Sequence, residues 1–295
     1  MRDTESGGKQ IPEKAHVLTL ERASALAVWS ACTLVAGVFM WIAADMVWHG
    51  LPALSWEFLW RAPENAGRAG GVGPILVSTL LILMVAIGTA APLGLAAAVW
   101  LSEYARLEPR IGATVRGFLD ILAGMPSIVF GLFGNALFCV TLGMGFSILS
   151  GGLTLACMAL PLLIRASEEG LRAVPDNYRH AAAALGMSRL TALRTVLLPV
   201  AVPGLVAGLV LGIGRALAET AALIFTSGYV DRMPGSLLDS GRALSIHIYD
   251  LSMNVPGGEQ NAYASALLLV ALLLTINLAT TALCRRWLAR GAQTI

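Results

Sequence analysis

This sequence predicts an all-α, polytopic membrane protein with six transmembrane helices, on three observations. Charged residues make up 13% of the 295 positions against 57% hydrophobic ones, about half the roughly 25% charged share of a soluble globular domain. Mean hydropathy is +0.74. The charges are also absent from long windows, residues 23–44, 69–102 and 121–164, and a helix needs about 20 apolar residues to cross a hydrocarbon core. This balance excludes an ordinary cytosolic enzyme and a disordered chain. A net charge of +2 leaves no global basic field for nucleic acid. Cys32, Cys139, Cys157 and Cys284 show no close pairing and suggest neither a disulfide framework nor a zinc cluster.

The spans follow in order. The first, 23–44, comes after 22 mostly polar residues and has no small-residue cleavage site close behind it, so it reads as a retained helix. The second lies at 75–101. The window 121–164 is long enough for two, 121–142 and 148–164, with the turn in its glycine-rich middle, Gly143 to Gly152. The last two are 200–227 and 263–283. Six crossings put both termini on one side. Fifteen Lys and Arg residues flank the spans on the side of the N-terminus, against only Arg61, Arg68, Arg232 and Arg242 on the other, which makes both termini cytoplasmic. The resulting organisation is an N-terminal tail 1–22, a membrane domain 23–283 and a C-terminal tail 284–295. The membrane domain includes a cytoplasmic loop 165–199 and an external segment 228–262. That segment, with Pro234, Pro256, Gly257 and Gly258, reads equally as half-helices against an outer mouth or as a solvated loop.

Pro92, Pro126, Pro161 and Pro203 lie inside predicted spans, and each removes a helix hydrogen bond that a neighbour must replace. Gly204, Gly208 and Gly212 recur at the spacing that lets two helix backbones approach closely in a membrane.

The cytoplasmic loop carries the clearest local signals. Pro175 followed by Asp176 is a helix start, with Asp176 or Asn177 able to cap free amides. The run Ala181 to Ala184 favours helix, Gly186 is placed to end it in a left-handed turn, and Ser188 can cap a second helix that Pro199 meets near the membrane. The product is a helical hairpin with a shallow alanine face. It suits either a cleft on another protein or the lipid interface.

Arg215 and Glu219 fall inside the fifth span, where ionisable residues usually face a bundle interior or an aqueous path. Four residues apart, they share one helical face and are close enough to pair. Two readings stand: a structural lock by mutual neutralisation, or a fixed cation that offers a passing anion its planar donor fork while Glu219 holds the side chain.

The stretch VPDNYRHAAAALG (174–186), with LLP at 197–199, resembles the cytoplasmic coupling motif of ABC importer permeases, with His180 where that motif usually has Glu. Adding LSEYA (101–105), MPSIVFGLF (125–133) and RALAETAALIFT (215–226), the chain looks like the permease of the phosphate-specific importer, in particular its PstA-type subunit. The resemblance implies the type I ABC importer permease fold. It implies that Glu168, Pro175, Asp176, His180, Ala181, Ala182 and Gly186 couple the chain to a cytoplasmic ABC ATPase dimer, and that Arg215 and Glu219 line the substrate pathway. It further implies a second homologous permease subunit, an extracytoplasmic phosphate-binding protein and surrounding membrane lipid as partners, without nucleic acid.

A phosphate-binding loop needs a lysine after its glycines, and this chain has none beyond Lys14. The chain is therefore expected to bind no cofactor and to catalyse no covalent step, with ATP and Mg on the partner ATPase. His16, His49, His180 and His247 are scattered without ligand spacing, so no metal role is expected. The rival functions are a permease for another oxyanion such as molybdate, sulfate or phosphonate, and a membrane scaffold or signalling subunit that does not transport.

Overall fold

A computed structural model describes residues 11–105 and 108–291. Residues 1–10 of the predicted N-terminal tail, Arg106 of the second loop and residues 292–295 of the C-terminal tail lie outside the described residues. The chain divides into two compact units, Met1–His49 and Gly50–Ile295. The first contains helix α1 (Ile11–Gly50), which starts within the stretch expected to be a polar tail. From residue 24 to 40 its residues are exposed, with Trp29, Phe39 and Trp41 among its apolar side chains, as suits a lipid-facing span.

The second unit is a helical bundle. It opens with α2 (Trp56–Trp60) and a two-residue hairpin, β1 (Pro63–Glu64) against β2 (Ala69–Gly70), in register Pro63 opposite Gly70. The spans follow: α3 (Gly73–Val99), α4 (Pro109–Gly124), α5 (Ser127–Gly134) and α6 (Ile148–Arg172). Beyond them come α7 (Asp176–Ala184), α8 (Arg189–Ala192), α9 (Leu198–Leu217), α10 (Ala221–Ile224), α11 (Leu244–Met253) and α12 (Glu259–Gly291). Among the described residues, five helical stretches are long and apolar enough to cross a membrane, six when the bent pair α4 with 127–141 is counted as one span.

The span expected at 148–164 runs on to Arg172, into the expected loop 165–199, and two others differ more. The span expected at 121–142 is two helical arms that meet at 99° between Gly124 and Ser127. Pro126 forces this, since it cannot continue the ladder of α4 and instead precedes the first turn of α5. The span expected at 200–227 starts earlier, because α8, the π turn Leu193–Leu197 and α9 form one continuous helix 189–217, and it stops at Leu217.

α6 is the central post. Gly204, Gly208 and Gly212 of α9 all face it. A β-carbon on Gly204 would stand 2.5 Å from the Gly170 Cα, one on Gly208 2.9 Å from the Ala166 Cβ, and one on Gly212 3.2 Å from Leu163. Among the described residues, a small buried cluster of Ala90, Ala156 and Leu163 joins α3 to α6, and larger apolar clusters lie along the bundle. One end holds Phe58, Val72, Ile75, Leu244 and Ala264. The middle is built on Ile82, Leu155, Met158, Ile213 and Leu217. The other end holds Leu101, Leu119, Leu171, Val174, Leu193 and Leu197.

The segment expected to be either half-helices or a solvated loop divides: residues 235–238 are exposed, whereas α11 packs as a helix. In α11, Leu244 and Ile246 are fully buried, and the Leu244 amide donates to Thr79 Oγ1 at 2.9 Å. Its His247 sits beside Gly67, where φ is +89° and a β-carbon would meet the imidazole Cε1 at 2.8 Å. Burial, and next the neighbouring Arg242 cation, push the His247 pKa down from 6.5 to about 4.

Two outcomes follow. Gly204→Ile forces the α6–α9 crossing apart and lowers the detergent melting temperature, by a destabilisation of about 1–3 kcal/mol, whereas Gly37→Ile, with nothing within 4 Å of its β-carbon, leaves it unchanged. Between pH 4 and 6.5 the unfolded chain binds a proton at His247 that the folded chain excludes. Stability therefore rises with pH across that window and is lost on acidification, by up to ~1.4 kcal/mol per pH unit. Melting curves from pH 4.5 to 7.5 should show the fall in the native protein and a shallower one in His247→Gln.

Candidate functional site

The register of the α6–α9 crossing fixes where Arg215 lies. The antiparallel pairs Gly204 with Gly170, Gly208 with Ala166 and Gly212 with Leu163 continue to Arg215, whose Nη2 lies 3.9 Å from the Met158 Sδ. Met158 is near the midpoint of the 25-residue α6, so the guanidinium sits at mid-span depth. Its own helix ends there. Arg215 is therefore in the last turn of α9, where the aligned carbonyls of a helix C-terminus favour a cation.

Glu219 lies beyond the helix end, not on its face as expected. Its carboxylate still reaches Arg215, with Oε2 3.8 Å from Nη2. Oε1 accepts from the Ala222 amide at 3.3 Å, and the Glu219 carbonyl accepts from Ser245 Oγ at 2.7 Å. These bonds explain the break: the carboxylate holds the first turn of α10 across residues 219–222, so α9 cannot continue. Ala222, Leu223, Thr226 and Ser227 are buried as the chain returns, so the irregular backbone is shielded by protein. The bent arm closes on the same place. A β-carbon on Gly131 would stand 2.9 Å from the Ala222 Cα, and Asn135 Nδ2 donates to the Phe225 carbonyl at 2.7 Å. The two members of the pair differ in access: the Glu219 side chain is 6% exposed and that of Arg215 is 50% exposed. The arrangement presents a cation to open space while its counter-charge stays inside.

The second constellation is the hairpin. α7 spans Asp176–Ala184, and Gly186, with φ +67°, ends it. Met187 N donates to the Ala182 carbonyl and Gly186 N to that of Ala183, closing the left-handed cap. Ser188 accepts from the Thr191 amide at 3.2 Å and starts α8. Neither Asp176 nor Asn177 is the N-terminal cap. Pro175 holds that position, and Asp176 lies in the first turn, where it pairs with Arg179. The second hairpin helix is not separate, because α8 runs on into α9.

Pro175, Asp176, His180, Ala181 and Gly186 are exposed along the hairpin beside Tyr178 and Leu185, whereas Ala182 is turned inward. Glu168 is not on that surface. It is buried in α6, bonded to Arg116 Nε at 2.8 Å and paired with Arg172 at 3.0 Å. Three residues to which the sequence reading gave no role, Glu103, Arg116 and Arg179, tie this end of the bundle together. Arg179 Nη2 lies 2.7 Å from Glu103 Oε1, and Arg116 Nη2 donates to the Leu101 carbonyl at 3.1 Å. A signal was present: Glu103 is the first charge after the uncharged run 69–102.

Residues 90–290 match the model of a family described as the binding-protein-dependent transport system inner membrane component. Among similar proteins, the phosphate transport system permease protein PstA 2 of Mycobacterium bovis is 30% identical over 283 residues, covering 92% of this chain and 93% of its own. PstA 1 of Mycobacterium tuberculosis is 34% identical over 245 residues, 81% of this chain and 79% of its own. The probable ABC transporter permease protein YqgI of Bacillus subtilis is 29% identical over 270 residues, 86% of this chain and 90% of its own. Two solved structures share the fold: a bacterial ABC transporter that imports alginate, with TM-score 0.61, 14% identity and coverage of 92% and 99%, and the inward-facing MetNI methionine ABC transporter, with TM-score 0.57, 21% identity and coverage of 73% and 94%. The fold is that of the type I ABC importer permeases, in a multi-pass membrane protein. With the family pattern running from residue 90 to 290 and relatives at 30% identity along nearly the whole length, this chain belongs to the binding-protein-dependent transport system inner membrane components.

Proposed function

We propose that this chain is the permease subunit of an ATP-driven importer that carries inorganic phosphate across the cytoplasmic membrane. The observation that carries the reading is the half-exposed Arg215 guanidinium at mid-span depth, held from behind by a buried carboxylate. A guanidinium offers parallel donors that match a tetrahedral oxyanion. With Glu219 as its fixed neighbour, the site weakens its own hold on the anion, as conduction requires. The names of the relatives point to the same substrate.

The open side of Arg215 is the side on which a second, related permease subunit completes the pathway. The hairpin docks on a cytoplasmic ABC ATPase, one copy for each permease, through the exposed face that carries Tyr178, His180, Ala181 and Leu185. The end that bears Arg110, Arg116, Arg165, Arg172, Arg179, Arg189 and Arg194 is cytoplasmic, in line with the bias of cations to that side, and both termini share it. An extracytoplasmic binding protein delivers phosphate at the opposite end, over α11 and the β hairpin. ATP and Mg stay on the partner, so this subunit makes no covalent change to its cargo. Closure of the ATPase dimer rocks the spans and alternates access.

Arg215→Gln should lower phosphate uptake about tenfold or more in a fully assembled complex, since a hydrogen bond to a charged group contributes about 1.5–3 kcal/mol. Uptake of labelled phosphate in proteoliposomes, with molybdate, sulfate and phosphonate as competitors, checks this, and unchanged uptake removes Arg215 from the path. Gly186→Ile places a β-branched residue where φ is +67°, a strain of about 1–3 kcal/mol. Phosphate moved per ATP hydrolysed should fall, while Gly186→Asn, which tolerates the left-handed region, should retain most of it.

A further inference from the structure

We infer that Arg179 is the positioning residue that locks the coupling hairpin onto the end of α3, and that the π turn Trp100–Tyr104 is the joint through which hairpin motion enters that span. The inference rests on the transport reading above and gives it a residue that reading does not use.

A guanidinium has five N–H donors in a fixed plane, and every one of those on Arg179 is occupied. Nε is shared between the two Glu103 oxygens at 3.2 Å each. Nη2 donates to Glu103 Oε1 at 2.7 Å and to the Leu171 carbonyl at 3.0 Å. Nη1 donates to the Val174 carbonyl at 2.8 Å and to Asp176 Oδ1 at 3.2 Å. One side chain thus joins three segments: the end of α3, the C-terminal end of α6 with its exit, and the first turn of α7. Its surroundings strengthen the link. The Arg179 and Glu103 side chains are 13% and 17% exposed, and the bond to Glu103 is the largest cause of the raised Arg179 pKa.

The rest of the hairpin has other ties. It is joined by covalent chain to α6 and, through α8, to α9, and its backbone packs on α8 and the turn Leu193–Leu197. Towards α3 it faces a cavity of about 220 Å³ lined by Tyr104, Ala183, Met187 and Leu193, with Glu103 and Arg179 at its wall. Packing across that gap is incomplete, Arg179 bridges it with a direct polar connection to Glu103, and the space lets the hairpin tilt.

Glu103 itself is in a π turn, a form that holds one more residue per turn than the helix it interrupts and often marks functional sites. The same turn is gripped at a second residue. Arg116 of α4 donates to the Leu101 carbonyl at 3.1 Å and to Glu168 of α6 at 2.8 Å. Two arginines, one from the hairpin and one from the neighbouring helix, therefore hold two residues, Glu103 and Leu101, of the segment where α3 departs from α-helical hydrogen bonding. A displacement of α7 pulls on Glu103 while Arg116 holds the Leu101 carbonyl.

The test uses the complete complex of this chain, its partner permease, the ATPase and the binding protein in proteoliposomes. Two ratios are read: anion moved per ATP hydrolysed, and the stimulation of ATP hydrolysis by loaded binding protein. Arg179→Lys and Glu103→Gln should each lower both ratios at least fivefold in assembled complex. Lysine should fail because it keeps the charge but not the fork. The double variant should be no worse than either single one, since the two residues act as one unit. Native ratios in Arg179→Lys, or losses that multiply in the double variant, overturn the inference. A second measurement needs neither variant: hydrogen exchange at the amides of 100–105 in the native complex should change on addition of ATP, and an unchanged rate overturns the joint. If the native complex moves another oxyanion, the phosphate reading fails while the clamp is judged by the same ratios with that anion. If it moves phosphate and Arg179→Lys is unaffected, only the clamp fails.

Discussion

Where α6 and α9 cross, the backbones approach so closely at Gly170 and Gly204 that neither position admits a β-carbon. Lipid tails give two helices no hydrophobic reason to associate, so contact of this kind, with small residues stacked along a seam, is what holds a span against its neighbour. The seam also sets register. Once Gly204 is opposite Gly170, Arg215 must fall beside Met158 at the middle of α6, and the start of the continuous helix 189–217 must emerge beyond the end of α6. Arg215 and the cytoplasmic-loop hairpin 176–192 are thus placed by one contact, at the two ends of one helix.

Irregular backbone at membrane depth is tolerated only when protein satisfies its polar groups. The break after Leu217 meets that condition through a short list of bonds. Glu219 accepts from Ala222, Ser245 donates to the Glu219 carbonyl, and Asn135 donates to Phe225. Glu219 thereby has two tasks, ending α9 and neutralising Arg215 from the buried side. At the arginine-rich end the same requirement is met differently, with Arg116 and Arg179 spending their donors on backbone carbonyls as well as carboxylates.

Features that depend on neighbours in the chain were legible. The hairpin could be read almost residue by residue, because the left-handed turn at Gly186 and the hydroxyl cap at Ser188 are local conformational preferences. The glycines at 204, 208 and 212 could be read as a packing seam, since periodicity places them on one face, although nothing local says which helix they meet. Asp176 was misjudged as a cap because Arg179, drawn to Glu103 from a distant span, leaves its carboxylate better paired as a first-turn anion. The resemblance places Glu168 among the coupling residues, yet two arginines draw it into the bundle. The bend at Pro126 was hidden by composition: an uncharged window looks the same whether its helix runs straight or turns through 99°.

Apolar windows, the asymmetry of arginines and the turn chemistry of 174–199 belong to the sequence alone, because solvent preference and φ/ψ preference are properties of residues and their immediate neighbours. The halt of α9 at Leu217, the depth of Arg215, the inward turn of Glu168 and the union of Glu103 with Arg179 were decided only by tertiary structure. Each depends on a partner 26 to 76 positions away, and a charge at the edge of an apolar run does not reveal its counter-charge until packing has brought the two together.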